Sequence, residues 1–344
     1  MAKQPKLSDF LPHQLKVSNP IHKLHHIFDE ADCYALWAAY SAGRPLLVRG
    51  KPGTGKSQMA RAIAEQLGWA FVSETIRGSS DLSDLHWHFD AIGRLGEAQA
   101  LSMAGGDEQT NREKLDPLKF LSPGAFWWAY DWHSARQQYD KTATRPRPVP
   151  QIPQGKEWDA KTGGVVLLID EIDKAEPDLP NGLLETLGQY QFTVPYIDHQ
   201  NRQADVKNPI HADPARLLVI ITTNEERELP KAFVRRCFVH TLRMEKSAEP
   251  VDPKAEASLP KRLDWLIQRG RLHFGEQIDD GVYRQTAELL WQDRESNPHT
   301  QYPPGLAEYI DLLTALQPLP KGEQQQRLKN ISAYALQKDF VEER

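Results

Sequence analysis

The chain of 344 residues exceeds a usual single domain, and its 40% hydrophobic and 26% charged residues exclude a disordered protein. A net charge of −5 excludes a whole-molecule basic field and argues against nucleic acid as a general partner. The start, MAKQPKLSDFLPHQLK, lacks a signal-peptide apolar run, and no later run approaches membrane-spanning length. Two cysteines, Cys33 and Cys237, are too few for a disulfide framework or a zinc site. The expectation is a soluble cytoplasmic protein with no membrane partner.

Apolar strand-like runs alternate with helical patterns as far as residue 242, which predicts an α/β unit with a parallel sheet. The first run, Pro45–Val48, opens the segment PLLVRGKPGTGKSQMARAIAEQLGW (45–69). Here Gly50, Gly55, Lys56 and Ser57 match the phosphate-loop spacing G-x-x-x-x-G-K-[ST]. A helix is expected next, with Met59, Ile63 and Leu67 on one face and Gly68 as its stop. Loop residues Gly50, Pro52, Gly53, Thr54 and Gly55 and the helix start at Lys56, Ser57 and Gln58 would form the phosphate cradle. Lys56 would reach the β- and γ-phosphates, and the Ser57 hydroxyl would ligate Mg²⁺. A ligand-free strand-to-helix turn could share the glycines, but it has no need of the lysine and serine.

A second run, Trp69–Val72, is followed by less regular sequence. His86 and His88 are two positions apart and make a poor metal pair on a helix. Residues 101–118 are polar and interrupt the rhythm. FWWAYDW (126–132) and Trp87 read as core or interface, because a base-stacking platform needs basic neighbours. RPRPVPQIP, within 141–164, reads as an exposed proline-fixed loop.

The run Val165–Ile169 heads VVLLIDEIDKAEPDLPNGLLETL (165–187), a buried strand delivering Asp170 and Glu171 at its C-terminal end, where open α/β sheets bind ligands. Asp170 suits the Mg²⁺ shell, largely through water, and Glu171 suits the polarisation of an attacking water. The acids within 173–178 read as helix caps. Next, LLVIITTNEERELP (217–230) is a buried strand ending near Asn224, placed to hydrogen-bond that water or the γ-phosphate. AFVRRCFVH (232–240) then sets Arg235 and Arg236 between apolar patches. By themselves they read as a helix cap and a solvated charge. Beyond 245–260 the strands stop, which sets a domain boundary near 245/246, and helices are expected near 261–270, 282–295, 305–316 and 323–340.

Taken together, a glycine loop, a strand-borne DE, a strand ending in Asn and a helix ending in RR resemble an AAA+ ATPase. Within that superfamily the chain is most similar to the MoxR group, through DEIDKAEPDLPNGLLETL, TTNEERELPKAFVRRCF and, at 79–99, SSDLSDLHWHFDAIGRLGEAQ. The resemblance spans about residues 25–245 and extends more loosely beyond them. It implies an α/β fold: an αβα P-loop AAA+ core with a parallel sheet at 1–245 and a smaller α-helical lid at 246–344. It also implies ATP and Mg²⁺ as cofactors, and a homo-oligomer in the form of a hexameric ring. Arg235 and Arg236 would reach a neighbouring subunit's nucleotide, with Arg235 preferred. The helix-2 insert near 79–100 and a hairpin near 191–210 would handle a client protein. A von Willebrand factor A-domain protein is the partner class it suggests.

The chain departs from the family pattern at QYPPGLAEYIDLLTAL (301–316), where no basic residue is available as sensor 2. The adenine pocket is unassigned beyond one wall expected around 20–35. Two other functions fit the same motifs: a nucleotide-gated assembly switch with little turnover, and a nucleic-acid-associated motor subunit.

Overall fold

The structure is a computed structural model that describes residues 4–11, 16–19, 24–105, 107–142, 149–153, 158–197, 206–242, 258–296 and 304–336. Several expected features fall partly outside the described residues: the linker up to 257, part of the proline-rich loop, the tip of the 191–210 hairpin, and residues 301–303.

Five strands form the central sheet: β1 (Leu46–Arg49), β2 (Ala70–Thr75), β3 (Val165–Asp170), β4 (Leu217–Thr223) and β5 (Phe238–Thr241). They are parallel, flanked by helices, and lie in the order β5-β1-β4-β3-β2. Every position of β4, and every position of β3 before Asp170, is buried. That is why both read as unbroken apolar runs rather than alternating ones. Their register pairs Leu217 with Val165 through to Ile221 with Ile169, while β2 pairs Ala70 with Val165 through to Thr75 with Asp170. Each Leu, Ile or Val sealed in this way contributes about 1.5–3 kcal/mol.

By internal contacts the chain divides into two compact units. The first, drawn from 1–13, 30–48 and 63–240, contains the sheet. It includes α1 (Glu30–Ser41), which is tied to the sheet side by the Tyr40 hydroxyl donating to the Ala215 carbonyl at 2.9 Å. The expected helix after the loop is α2 (Lys56–Leu67), closed by Gly68 at φ +66°. Within the polar stretch 101–118, residues 101–104 and 108–114 are helical. They complete α3 (Ala91–Ala104) and add a helix at Glu108–Lys114, which starts where the Asp107 carboxylate accepts the Thr110 N–H. Short antiparallel strands Trp87–Phe89 and Leu121–Pro123 close the base of this arm.

FWWAYDW lies in the core, with Trp127 fully buried and donating from Nε1 to Ser134 Oγ at 2.9 Å. The expected hairpin has an antiparallel stem, Gln191 opposite His211 and Phe192 opposite Ile210. It follows α4 (Asp178–Gln189), and α5 (Lys231–Val234) lies between β4 and β5.

The second unit, from 14–29, 49–62 and 241–344, has its own core. Among the described residues its core is built by α6 (Ser258–Phe274), α7 (Asp280–Ser296), α8 (Leu306–Leu316) and α9 (Lys321–Leu336). Leu266, Tyr283, Leu290, Tyr309 and Leu313 are completely buried there. Their helical spacing is the reason the four elements were legible from the sequence. This unit also contains residues 49–62, the phosphate-loop segment.

Candidate active site

The glycine loop begins as β1 ends, with the Leu242 N–H donating to the Arg49 carbonyl at 2.8 Å. Gly50 is required by close approach, because a Cβ there would lie 2.7 Å from the Leu242 carbonyl oxygen. Gly53 adopts φ +74°, a left-handed conformation that favours glycine, and a Cβ there would meet the Ala307 methyl at 3.0 Å. The Thr54 hydroxyl ties the turn by donating to the Lys51 carbonyl at 2.9 Å. Lys56, 7% exposed, donates its ammonium to the Gly50 and Lys51 carbonyls at 2.7 and 3.0 Å. Ser57 and Gln58 follow in the first turn of α2, which contains no acidic residue. The orphan N–H groups of that turn and the helix dipole therefore favour an anion.

The helix expected to carry sensor 2 meets this loop through different chemistry. The first turn of α8 packs on Gly53 by way of Ala307, and Glu308 Oε2 stands 3.9 Å from where a Gly53 Cβ would be. The Glu308 carboxylate also accepts the Gly305 N–H at 2.7 Å, capping its own helix. No pattern in the sequence pointed to this contact.

In the sheet unit, Asp170 ends β3 and Glu171 turns sharply off it in the left-handed conformation, φ 60° and ψ 47°. A non-glycine residue held there is strained, and such strain gathers at functional sites. Thr222 on the neighbouring β4 secures the turn: its hydroxyl donates to Asp170 Oδ1 and accepts the Glu171 N–H at 2.9 Å. The Glu171 carboxylate accepts from Lys174 Nζ at 2.6 Å and lies 3.4 Å from Asn224 Nδ2. The hydrogen bond to Glu171 is the main reason the Lys174 pKa is raised. Glu171 and Asn224, predicted separately, are thus brought together.

Asp173 has a role different from the cap expected of it. Only 2% exposed, its carboxylate accepts the Asn224 N–H at 3.1 Å and the Glu226 N–H at 2.9 Å. It therefore pins the segment after β4 to the end of β3. Among the other acids of 173–178, Glu176 pairs with Arg227 at 3.3 Å and Asp178 opens α4. Thr222, Asp173 and Lys174 are the residues that motif reading missed. Only the buried character of Thr222 and Asp173 sets them apart, and burial is a property of the folded sheet.

The two arginines differ. Arg236 Nη1 donates to the Ala232 carbonyl at 3.2 Å, capping α5 as the plain reading of a terminal cation expects. The Arg235 side chain is exposed and makes no hydrogen bond or ion pair among the described residues. The backbone carbonyls of both are taken by Arg44, with Nη2 donating to Arg235 and Nε donating to Arg236 at 2.9 Å.

His86 is buried against Phe192, ring centroids 4.4 Å apart, with Nε2 2.9 Å from Thr186 Oγ1. Burial lowers its pKa to about 4. His88 is exposed and 3.5 Å from Asp84, so the two histidines do not share a site.

Among the described residues no group of three His, Cys, Asp or Glu side chains could hold a metal. Each of the expected donors, the Asp170 carboxylate in the sheet unit and the Ser57 hydroxyl in the other unit, offers the hard oxygen that Mg²⁺ takes alongside water and phosphate oxygens. The anion-favouring loop and buried Lys56 suit the phosphates themselves. Among the described residues no helix is long and apolar enough to cross a membrane.

No family model and no curated protein matches the chain. Solved structures similar to it include the crystal structure of a candidate ATPase from Cytophaga hutchinsonii. That protein is 13% identical, with 88% of this chain and 79% of that one covered at a TM-score of 0.35. Likeness at this level carries neither fold nor activity across.

Proposed function

We propose that this chain is an AAA+ ATPase of the MoxR-like type, which hydrolyses Mg-ATP in an oligomeric ring to remodel or activate a partner protein. The observation that carries the reading is the strand order. The strand leading into the glycine loop, the strand followed by Asn224 and the strand ending in Asp170 and Glu171 are consecutive neighbours, β1-β4-β3, in one parallel sheet. Ligands of open α/β sheets bind outside the carboxyl ends of such strands.

In this reading the N–H groups of the loop and of the α2 start bind the phosphates, and the Lys56 ammonium leaves the loop carbonyls to reach the β- and γ-oxygens. Ser57 and Asp170 are the residues that would hold Mg²⁺, which would supply charge neutralisation on the phosphate oxygens. Glu171 accepts a proton from the attacking water, and Asn224 orients that water. The water oxygen bonds to the γ-phosphorus as the bridging bond to ADP breaks. Lys174 must yield its grip on Glu171 for the carboxylate to act as a base. Arg235, exposed and unpaired among the described residues, is suited to stabilise charge on a neighbouring subunit's γ-phosphate, while Arg236 is occupied with its own helix. A von Willebrand factor A-domain partner follows from the sequence resemblance alone.

The Glu171–Lys174 pair also favours a second reading, a nucleotide-gated assembly switch in which the base stays engaged and turnover is low. Phosphate release and nucleotide binding separate the two. In the ATPase reading, Lys56→Ala loses nucleotide binding, and Glu171→Gln keeps binding but loses most turnover. Arg235→Ala keeps binding and loses about 10³- to 10⁵-fold in hydrolysis, the range for an arginine finger. Mixed rings of Lys56→Ala and Arg235→Ala recover activity, because some interfaces pair a working loop with a working finger. A wild-type ring that binds ATP without releasing phosphate supports the switch.

A further inference from the structure

We propose that Arg44 is a positioning residue for Arg235: its guanidinium holds the backbone from which that side chain leaves the surface. The inference rests on the reading of Arg235 as a residue acting on a neighbouring subunit's nucleotide. Helix α5, Lys231–Val234, is a single turn and cannot hold its own geometry. The carbonyls of Arg235 and Arg236 lie just past its end, where no intrahelical N–H reaches them. Arg44 fills that gap with two donors on two consecutive carbonyls, Nη2 to Arg235 and Nε to Arg236.

The clamp is anchored to the sheet at both ends. Arg44 sits two residues ahead of β1, and the Phe238 N–H at the start of β5 donates to the Pro45 carbonyl at 2.9 Å. The guanidinium also lies over the Phe238 ring, 5.5 Å from its centroid. Its planar fork matches two fixed acceptors in a way an ammonium cannot. The Arg235 Cα is therefore referenced to the strand pair β1-β5 rather than to a free loop.

Charge makes a second argument. Arg44, Arg235 and Arg236 stand together, and among the described residues the hydrogen-bond acceptors of Arg44 and Arg236 are carbonyl oxygens rather than carboxylates. A neutral amide could satisfy the same carbonyls without like-charge repulsion. A third cation at this point is favourable when an anion approaches, which is what a transferring phosphoryl group provides.

In sequence Arg44 lies close before Gly50, so the alternative is a role in its own subunit's phosphate loop. The geometry assigns it to the finger, and mixed rings distinguish these alternatives. Arg44→Ala should bind a non-hydrolysable ATP analogue within about two-fold of wild type and lose about 10- to 100-fold in kcat. That is less than loss of the finger itself, because what is lost is alignment, and misplacement by about 1 Å costs on the order of 10². Mixed with Lys56→Ala, it should regain activity; mixed with Arg235→Ala, it should not, since every finger in that ring is impaired. Arg44→Lys keeps the charge and loses the fork, and should behave as a milder Arg44→Ala, which keeps the test usable if the alanine variant misfolds. Recovery with Arg235→Ala and none with Lys56→Ala would place Arg44 with its own loop and overturn the proposal. So would wild-type kcat in both Arg44 variants. If Arg235→Ala alone is fully active, the finger reading has failed first, and the proposal fails with it.

Discussion

Replacing Asp173 with alanine removes a carboxylate that is 2% exposed and accepts backbone N–H groups from Asn224 and Glu226 at 3.1 and 2.9 Å. Hydrogen bonds to a charged group contribute about 1.5–3 kcal/mol each, and each buried donor left without a partner costs about 1–3 kcal/mol. Against this, the variant no longer buries a charge, which returns part of the loss. The expected net destabilisation of the sheet unit is about 2–4 kcal/mol. Asp173→Asn keeps the shape and one acceptor oxygen and should lose about half as much, roughly 1–2 kcal/mol. Urea unfolding at fixed pH measures both. The functional consequence is separate: the segment Asp173 pins carries Asn224, whose Nδ2 is 3.4 Å from Glu171 Oε1. At a temperature where Asp173→Ala is still folded, phosphate release should fall at least about ten-fold while nucleotide affinity holds, since misplacement of about 1 Å costs on the order of 10². If Asp173→Ala unfolds within about 0.5 kcal/mol of wild type, the two N–H contacts carry no weight and the reasoning is wrong.

Two further outcomes are expected. His86 has a folded pKa of about 4 against 6.5 for the free side chain. Below pH 6.5 the unfolded chain takes up a proton that the folded chain refuses, so stability is full above that value and falls towards pH 4. Between pH 7.5 and 5 the loss is about 2 kcal/mol, and His86→Phe, which keeps an aromatic ring beside Phe192 but cannot titrate, should lack that part of the slope. Parallel pH curves for the two proteins would refute it. Gly53→Ala should weaken nucleotide binding at least about ten-fold, because an alanine at φ +74° costs about 1–2 kcal/mol and presses on the Ala307 methyl at 3.0 Å. Adding Ala307→Gly should restore part of the binding, by relieving the contact but not the φ strain. No recovery in a titration with a fluorescent ATP analogue would show that the contact is irrelevant.

The sequence by itself determined the parts whose physics is local. Buried parallel strands must be apolar at nearly every position, so β1, β3 and β4 stood out, and helices with one buried stripe must repeat at helical spacing, so α6 to α9 did too. The glycine loop was legible because its tight backbone, its lysine and the helix after it are all consecutive in the chain. The two acids at the end of β3 were legible for a related reason: a polar pair directly after a buried strand marks the ligand-binding edge of such a sheet.

Tertiary structure decided whatever joins distant residues. Thr222 latches the end of β3 from the next strand, and Asp173 reaches the backbone beyond β4, contacts that span about fifty residues. Arg44 reaches the carbonyls of Arg235 and Arg236 only because β1 and β5 are neighbours, which no local pattern states. What distinguishes two adjacent arginines that are chemically identical in the sequence is the cap that the Arg236 side chain makes on the Ala232 carbonyl, seen only in the folded chain. The helix at 108–114 escaped notice because its residues are almost all solvated, so it has no buried stripe to reveal its period. A side chain's type is written in the chain, but its burial and the atoms it meets exist only once strands far apart in sequence have been set side by side.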